Sequence, residues 1–257
     1  MKNFLLISSL ICAALTCCTK NPSVPEKERR LSVESYARTA NGNFKVWDFG
    51  MYVMDEDQPY RGIINPVHVT YSGTWVFPEI ILETPASVYA FHPYQSTTDF
   101  TSINLSLTPQ VDYLATSSAV TATMENPSVQ IVMEHILCEV RVTVDGSSDL
   151  SFRVKDTDAY AKYNLRTNQI FPREQKSSVS SRGSSIFLFP GRSKPLSMTI
   201  YYKGKEYSYS APVQDYESGK IYVHNLSISD TNSLTIQGDI IVSPWVPGTN
   251  YDGTLRE

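Results

Sequence analysis

The stretch Leu196-Ser-Met-Thr-Ile-Tyr-Tyr-Lys-Gly-Lys-Glu-Tyr-Ser-Tyr-Ser210 reads as a β-hairpin, with strands over 196–202 and 206–210 joined across Lys203-Gly204-Lys205. Tyr207 and Tyr209 alternate with serines, the two-residue period of a pleated sheet, and Gly204 supplies the backbone freedom of a tight turn. The composition extends this reading to the whole chain. Its 257 residues include 16 Tyr, 10 Phe and 15 Pro, which suit half-buried pleated surfaces and turns better than helices. Long helical periodicity is absent, so the expected class is all-β.

Upstream, Leu31, Val33 and Ser35 alternate with polar residues as a first short strand, and 44–54 reads as a second. Between them Thr39-Ala-Asn-Gly-Asn43 carries the Asn-Gly turn signal. Further strands are expected at 67–71, 87–91 and 103–107. Residues 113–123 are small and polar, and Asn126-Pro127 is a breaker, which places a domain boundary near residue 126. The second half opens on 129–144, too long for one regular strand and out of phase between Met133 and Ile136, so a bulge or corner is predicted near Glu134-His135. Strands follow at 150–154, then at 161–165 and 169–171, joined across Arg166-Thr-Asn168. Residues 177–185 form a Ser-rich loop, and 185–189 a strand ended by Pro190-Gly191. Strands over 221–227 and 233–242 close the series. Two β-sandwiches in tandem, over 31–126 and 127–257, fit this spacing.

At the N-terminus Lys2 precedes an apolar run over 4–15 and then small or polar residues, the layout of a secretory signal. The run is far shorter than the ~20 residues that cross a bilayer. Leu15-Thr16-Cys17-Cys18 is a lipobox, with signal peptide 1–17 removed and Cys18 acylated; cleavage one residue earlier, with Cys17 acylated, stays open. Residues 18–30 hold two prolines and five consecutive charges without apolar periodicity, a tether between lipid and fold. Cys138 is then the one thiol left in the fold, so no intrachain disulfide is available and an apolar core must stabilise the domain. It lies among Ile136, Val140, Val142 and Val144 on the apolar side of a strand, as an inert buried thiol.

Residues that would carry chemistry are scattered. There is no Gly-x-Ser-x-Gly elbow, and His68, His92, His135 and His224 share no chelating spacing. Asp55-Glu-Asp57 reads as a solvated hairpin tip, and Asp156-Thr-Asp158 lacks the calcium-loop pattern. The net charge of −4, with no basic cluster beyond 27–30, gives no footprint for nucleic acid. An exposed platform of Tyr201, Tyr202, Tyr207 and Tyr209 would suit a sugar ring, whereas a covered sheet face would use the same pattern.

Taken in order, the lipobox, the tether, the early strand ending Ala37-Arg38-Thr39-Ala40 and the segment Phe44-Lys-Val-Trp47 resemble the fimbrillin family, the lipoprotein-derived subunits of type V pili. Trp75-Val-Phe-Pro78, Val88-Tyr-Ala-Phe-His-Pro-Tyr94, the hairpin Tyr163-Asn-Leu-Arg-Thr-Asn-Gln-Ile170 and Ile240-Ile-Val-Ser-Pro-Trp245 are similar to further family segments, with Asn168 in place of the usual turn glycine. The resemblance implies two transthyretin-like β-sandwiches, no cofactor and no catalysis. It implies a fimbrial subunit, or a tip or anchor protein, at the cell outer membrane, held by the lipid on Cys18 and supporting adhesion to a host or bacterial surface ligand. Assembly with other pilus subunits would proceed by donor-strand exchange, a form of β-augmentation. Arg38 is then the proteolytic maturation site, because it follows the first strand and precedes a turn open to a trypsin-like protease. Arg29 and Arg30 are rivals whose cleavage would leave that strand in place. The region after Trp245 is the expected donor, although Pro247, Gly248 and Gly253 make it a poor strand. The alternative is a monomeric surface lipoprotein that binds glycan.

Overall fold

The computed structural model describes residues 25–39, 42–231 and 233–245. After a 3-10 turn over Glu26–Arg29, everything regular in these residues is β-strand. The first stretch holds β1 (Ser32–Thr39), β2 (Gly42–Lys45), β3 (Asp48–Asp55), β4 (Gln58–Pro59), β5 (Val67–Tyr71), β6 (Trp75–Val76) and β7 (Ala86–His92). Next come β8 (Ile103–Ser106), β9 (Leu114–Thr116), β10 (Val120–Ala122), β11 (Ser128–His135), β12 (Cys138–Val144), β13 (Ser151–Asp158), β14 (Tyr160–Asn164) and β15 (Gln169–Pro172). The chain continues through β16 (Lys176–Ser180), β17 (Ser185–Leu188), β18 (Gly191–Tyr202), β19 (Lys205–Tyr216), β20 (Lys220–Ile228), β21 (Leu234–Ile236) and β22 (Ile241–Pro244).

The largest sheet runs β2-β1-β11-β9-β7-β3-β5-β6, with β10 paired to β7 and β4 to β3. Its centre is apolar on both faces. Phe49, Met51 and Val53 of β3 pack with Val88 and Ala90 of β7, Leu114 of β9 and Ile131 of β11 in one core, roofed by Tyr60, Ile80 and Leu82. Tyr52 and Met54 point the other way, into a second core with Phe91, Ile103, Leu105 and Tyr163. Burial on both faces explains why β3 reads as a near-continuous apolar run and not as an alternating one.

The second core continues between a five-stranded sheet, ordered β17-β12-β20-β21 with β22 on β20, and a four-stranded sheet ordered β16-β13-β18-β19. Cys138, Val140, Val142 and Val144 face Phe152, Val154, Met198, Ile200, Tyr207 and Tyr209 there. A three-stranded sheet, β15-β14-β8, packs into this second core through Ile103, Leu105, Ala161 and Tyr163. Two ladders are parallel, β1 with β11 and β12 with β20.

The fold agrees with the all-β expectation and departs from it in its details. The strand expected over 44–54 is broken at Val46-Trp47 into β2 and β3, because β2 turns back on β1 while β3 pairs with β5 and β7. The segment 113–123, read as small and polar, contains two short strands, β9 and β10. The Ser-rich loop at 177–185 contains β16, a polar edge strand. The single strand expected at 233–242 is interrupted at Gly238, whose φ is 72°, and becomes β21 and β22. The phase slip at Glu134-His135 is a change of sheet: β11 ends in the first sheet and β12 begins in the other across Ile136-Leu137. That ladder assignment moves the division of the chain that we propose from residue 126 to Ile136.

Two buried amides stand in for missing strands. The Asn65 side chain accepts from Val53 N–H at 3.0 Å and donates to Val53 C=O at 2.9 Å. Gln110 accepts from Phe187 N–H at 2.5 Å and donates to Leu107 C=O at 2.7 Å, closing the outer edge of β17. Each prevents an unpaired backbone group inside the fold.

Candidate functional site

The best candidate for a working surface is the slot that β1 occupies. Leu31, Val33 and Ser35 are buried inward, and Ser32 and Glu34 face outward. The parallel register sets Val33 beside Val129 and Ser35 beside Ile131. Entry to the strand is fixed from both sides. Leu31 N–H donates to Ile80 C=O at 2.9 Å, Leu82 N–H to Arg29 C=O at 3.0 Å, and Ser32 N–H to Pro127 C=O at 3.1 Å. Arg30 bridges Ile81 and pairs with Glu79 at 2.7 Å, so the end of the stretch expected as tether is already docked on the fold.

The ladder makes β1 more than an edge. The antiparallel partner of β11, β9, meets it at Met133, Glu134 and His135, whereas β1 pairs with β11 from Ser128 to Met133. The first half of β11 thus has β1 as its ladder partner, and β2 is joined to the sheet through β1. Taking β1 away would bare Val129, Ile131, Leu82 and Ile80 and detach β2. Inside this slot Ser35 Oγ is fully buried with no hydrogen-bond partner among the described residues.

Arg38 sits within β1, opposite Asn43 of β2, one residue before the end of the strand at Thr39. The strand therefore runs past the expected stop at Ala37. Cys18 and the region after Trp245 lie outside the described residues. The described part of the C-terminus is β22, which pairs with the outer side of β20 and leaves Ile241 and Val242 about half exposed.

The structure distributes the remaining candidates as follows. His68 pairs with the Asp48 carboxylate at 2.6 Å and stacks on Tyr94, and His92 Nδ1 meets the Asp48 carbonyl at 2.5 Å. These two histidines thus meet one residue across neighbouring strands, a juxtaposition that spacing along the chain cannot reveal. His135 Nδ1 lies 3.0 Å from Asp112. His224 Nδ1 lies 3.2 Å from Tyr209 Oη, and burial pushes the His224 pKa down to about 4. No group of three or more His, Cys, Asp or Glu able to hold a metal occurs among the described residues. Burial pushes the Cys138 thiol up to about 12. Asp55-Glu-Asp57 forms the β3–β4 turn, with Asp57 2.6 Å from Arg166. Asp156 has φ 48° at a bulge in β13, and Asp158 pairs with Lys176.

The tyrosine platform is overturned: Tyr202, Tyr207 and Tyr209 are 3%, 6% and 7% exposed, and Tyr201 alone of the four reaches solvent, at 39%. The Tyr207, Tyr209, Ala211 period was the signal of a core face. Sequence reading also missed the buried Glu139, whose carboxylate takes Arg141 Nε at 2.7 Å and Ser185 Oγ at 2.7 Å. Its trace is the charged pair alternating with Cys138, Val140 and Val142 along β12.

No helix among the described residues is long and apolar enough to cross a membrane. No curated protein matches the chain. Among solved structures, a candidate cell-adhesion protein from Bacteroides uniformis is 16% identical, with a TM-score of 0.66 over 84% of this chain and 99% of that one. A second, from Bacteroides ovatus, is 18% identical, with a TM-score of 0.62 over 84% and 98%. A tip fimbrial protein from Porphyromonas gingivalis with a C-terminal truncation is 10% identical, with a TM-score of 0.52 over 84% and 100%. At such identities the likeness establishes the shared fold. The sequence itself goes further, since residues 39–245 match the family model described as fimbrillin-like, and this chain is a member of the fimbrillin-like family.

Proposed function

We propose that this chain is a pilus subunit, or a tip or anchor protein of a pilus, exported as a lipoprotein through Cys18 to the outer membrane and assembled by strand exchange after cleavage at Arg38. The observation that carries the reading is the slot of β1. One strand near the N-terminus supplies the ladder for half of β11 and sets Leu31 and Val33 in the core with Val129 and Ile131. A cut after Arg38 would leave β1 bound by noncovalent contacts alone. An incoming strand could then take over the same backbone bonds and the same apolar floor, each Å² of which is worth about 25 cal/mol when covered.

Ser35 favours the exchange energetically. Its buried hydroxyl lacks a partner among the described residues, and such a group costs about 1–3 kcal/mol. A donor with an apolar side chain at that place would sit in the slot more stably than the chain's own strand. Cleavage at Arg29 or Arg30 gives no such opening, because both precede β1. The half-exposed β22, leading into the C-terminal residues, makes that end the proposed donor.

Negative-stain microscopy of surface fibres labelled with an antibody to this chain tests the role. Label along or at an end of fibres is expected; label spread over the cell surface without fibres would contradict it. Mass spectrometry of the mature N-terminal peptide should find Cys18 acylated, and an unmodified Cys18 in a soluble form would refute the anchor.

A further inference from the structure

Between the β14–β15 hairpin, the turn from β17 to β18 and the turn from β19 to β20 lies a cleft of about 440 Å³, walled by Asn168, Ile170, Arg192, Asp215, Tyr216 and Glu217. An inner chamber of about 140 Å³ shares Asn168 and Ile170 with it and adds Glu134, His135 and Tyr163. We infer that this cleft and its chamber form a binding site for a neutral saccharide, a role separate from strand exchange.

Size comes first: at a few hundred Å³ the outer cleft falls in the range of small-molecule sites, and its walls are about half polar. The groups present match a polyol. Asp215 and Glu217 offer carboxylate oxygens to hydroxyl donors, and Arg192 offers donors to hydroxyl oxygens. A sugar hydroxyl serves both kinds of partner at once, while Ile170 offers an apolar contact to its C–H surface.

The gate between the two spaces is preorganised. Asn168 holds φ 55°, donates its amide to Ser117 C=O at 2.5 Å and accepts from Tyr163 Oη at 2.6 Å. Neither cavity can reshape that side chain without breaking both bonds, so this wall is held in place before a ligand arrives.

The chamber supplies the independent sign of a ligand. His135 is 4% exposed, and its Nε2 has no hydrogen-bond partner among the described residues. The Asp112 carboxylate 3.0 Å from Nδ1 accepts, so Nδ1 carries the proton, and in the neutral imidazole Nε2 presents a lone pair. Nε2 is closed to solvent in the chamber wall, and a hydroxyl would donate to it once that wall gives way. Charge then selects the class. Asp215 and Glu217 outnumber Arg192 at the mouth, and Glu134 adds a carboxylate inside, so a sialylated or uronic ligand is disfavoured and a neutral one accepted.

The test is a printed array of neutral, sialylated and amino-sugar oligosaccharides probed with the full chain in detergent, followed by calorimetric titration with the neutral oligosaccharide that scores highest. Saturable binding to a neutral oligosaccharide is expected, weakened about tenfold or more by Arg192→Ala and by Glu217→Gln, with melting temperatures unchanged. Tyr201→Ala, on another surface, should bind as the parent does. Absence of binding to every neutral glycan, binding indifferent to both cleft substitutions, or binding confined to amino sugars would overturn the assignment. None of these readouts depends on cleavage at Arg38 or on polymer formation.

Discussion

The indole of Trp245 lies over the imidazole of His135 with ring centroids 4.2 Å apart and planes within 4° of parallel. One residue ends β11 in the first sheet; the other follows β22 in the second. Phe187 packs against the indole with centroids 5.0 Å apart, and the Trp245 backbone N–H donates to Gly219 C=O at 2.8 Å. The stack therefore ties the last described residue to the point where the chain changes sheets.

Trp245→Ala should lower unfolding stability by about 3–5 kcal/mol, the usual cost of truncating a buried tryptophan. His135→Ala should cost less, because the imidazole contributes the stack and the Asp112 contact over a smaller area. Urea denaturation of the two variants and of the double variant measures the coupling. Additive losses would mean that the stack carries no energy of its own.

What could be read from the sequence follows the range of the interactions. The β18–β19 hairpin was legible because its turn is two residues, Lys203 at φ 50° and Gly204 at φ 73°, between strands of clear period. The turn between β14 and β15 was legible too, and Asn168, which stands where the family segment carries glycine, has φ 55°. The parallel pairings of β1 with β11 and β12 with β20 were not, since no local signal links Ser32 to Ser128 or Glu139 to Ile221. The phase slip after Met133 was visible, but a bulge and a change of sheet leave the same trace in one dimension. The saccharide cleft was invisible because its walls come from turns brought together only by the fold.

Ser35→Val should stabilise the uncleaved chain by about 1 kcal/mol or more, since it removes a buried unpaired hydroxyl facing apolar neighbours. The same variant should slow strand exchange by holding β1 more firmly. Thermal melts and the rate of polymer growth after proteolysis check both halves. A destabilised variant that polymerises faster would show that the hydroxyl has a role the slot hypothesis omits.

His224 gives the fold an acid-sensitive term. Its pKa in the folded chain is about 4, below the ~6.5 of an unfolded chain, so the unfolded state takes up the proton first as pH falls. The stability contributed by neutral His224 is fully present above pH ~6.5, declines below it, and is reduced by about 3 kcal/mol at pH ~4. His224→Gln should flatten that part of the pH–stability profile. An unchanged slope would assign the acid sensitivity elsewhere.

The slot of β1 is tested most directly by treating three purified full chains, the parent, Arg38→Ala and Arg29→Ala/Arg30→Ala, with a trypsin-like protease, then sequencing the new N-termini and sizing the products under native conditions. Parent and Arg29→Ala/Arg30→Ala should be cut after Arg38, lose residues up to that point and form polymers. Arg38→Ala should keep β1 and remain monomeric. Polymers formed by Arg38→Ala, or parent chains cut after Arg38 that stay monomeric at every concentration, would contradict strand exchange at this slot.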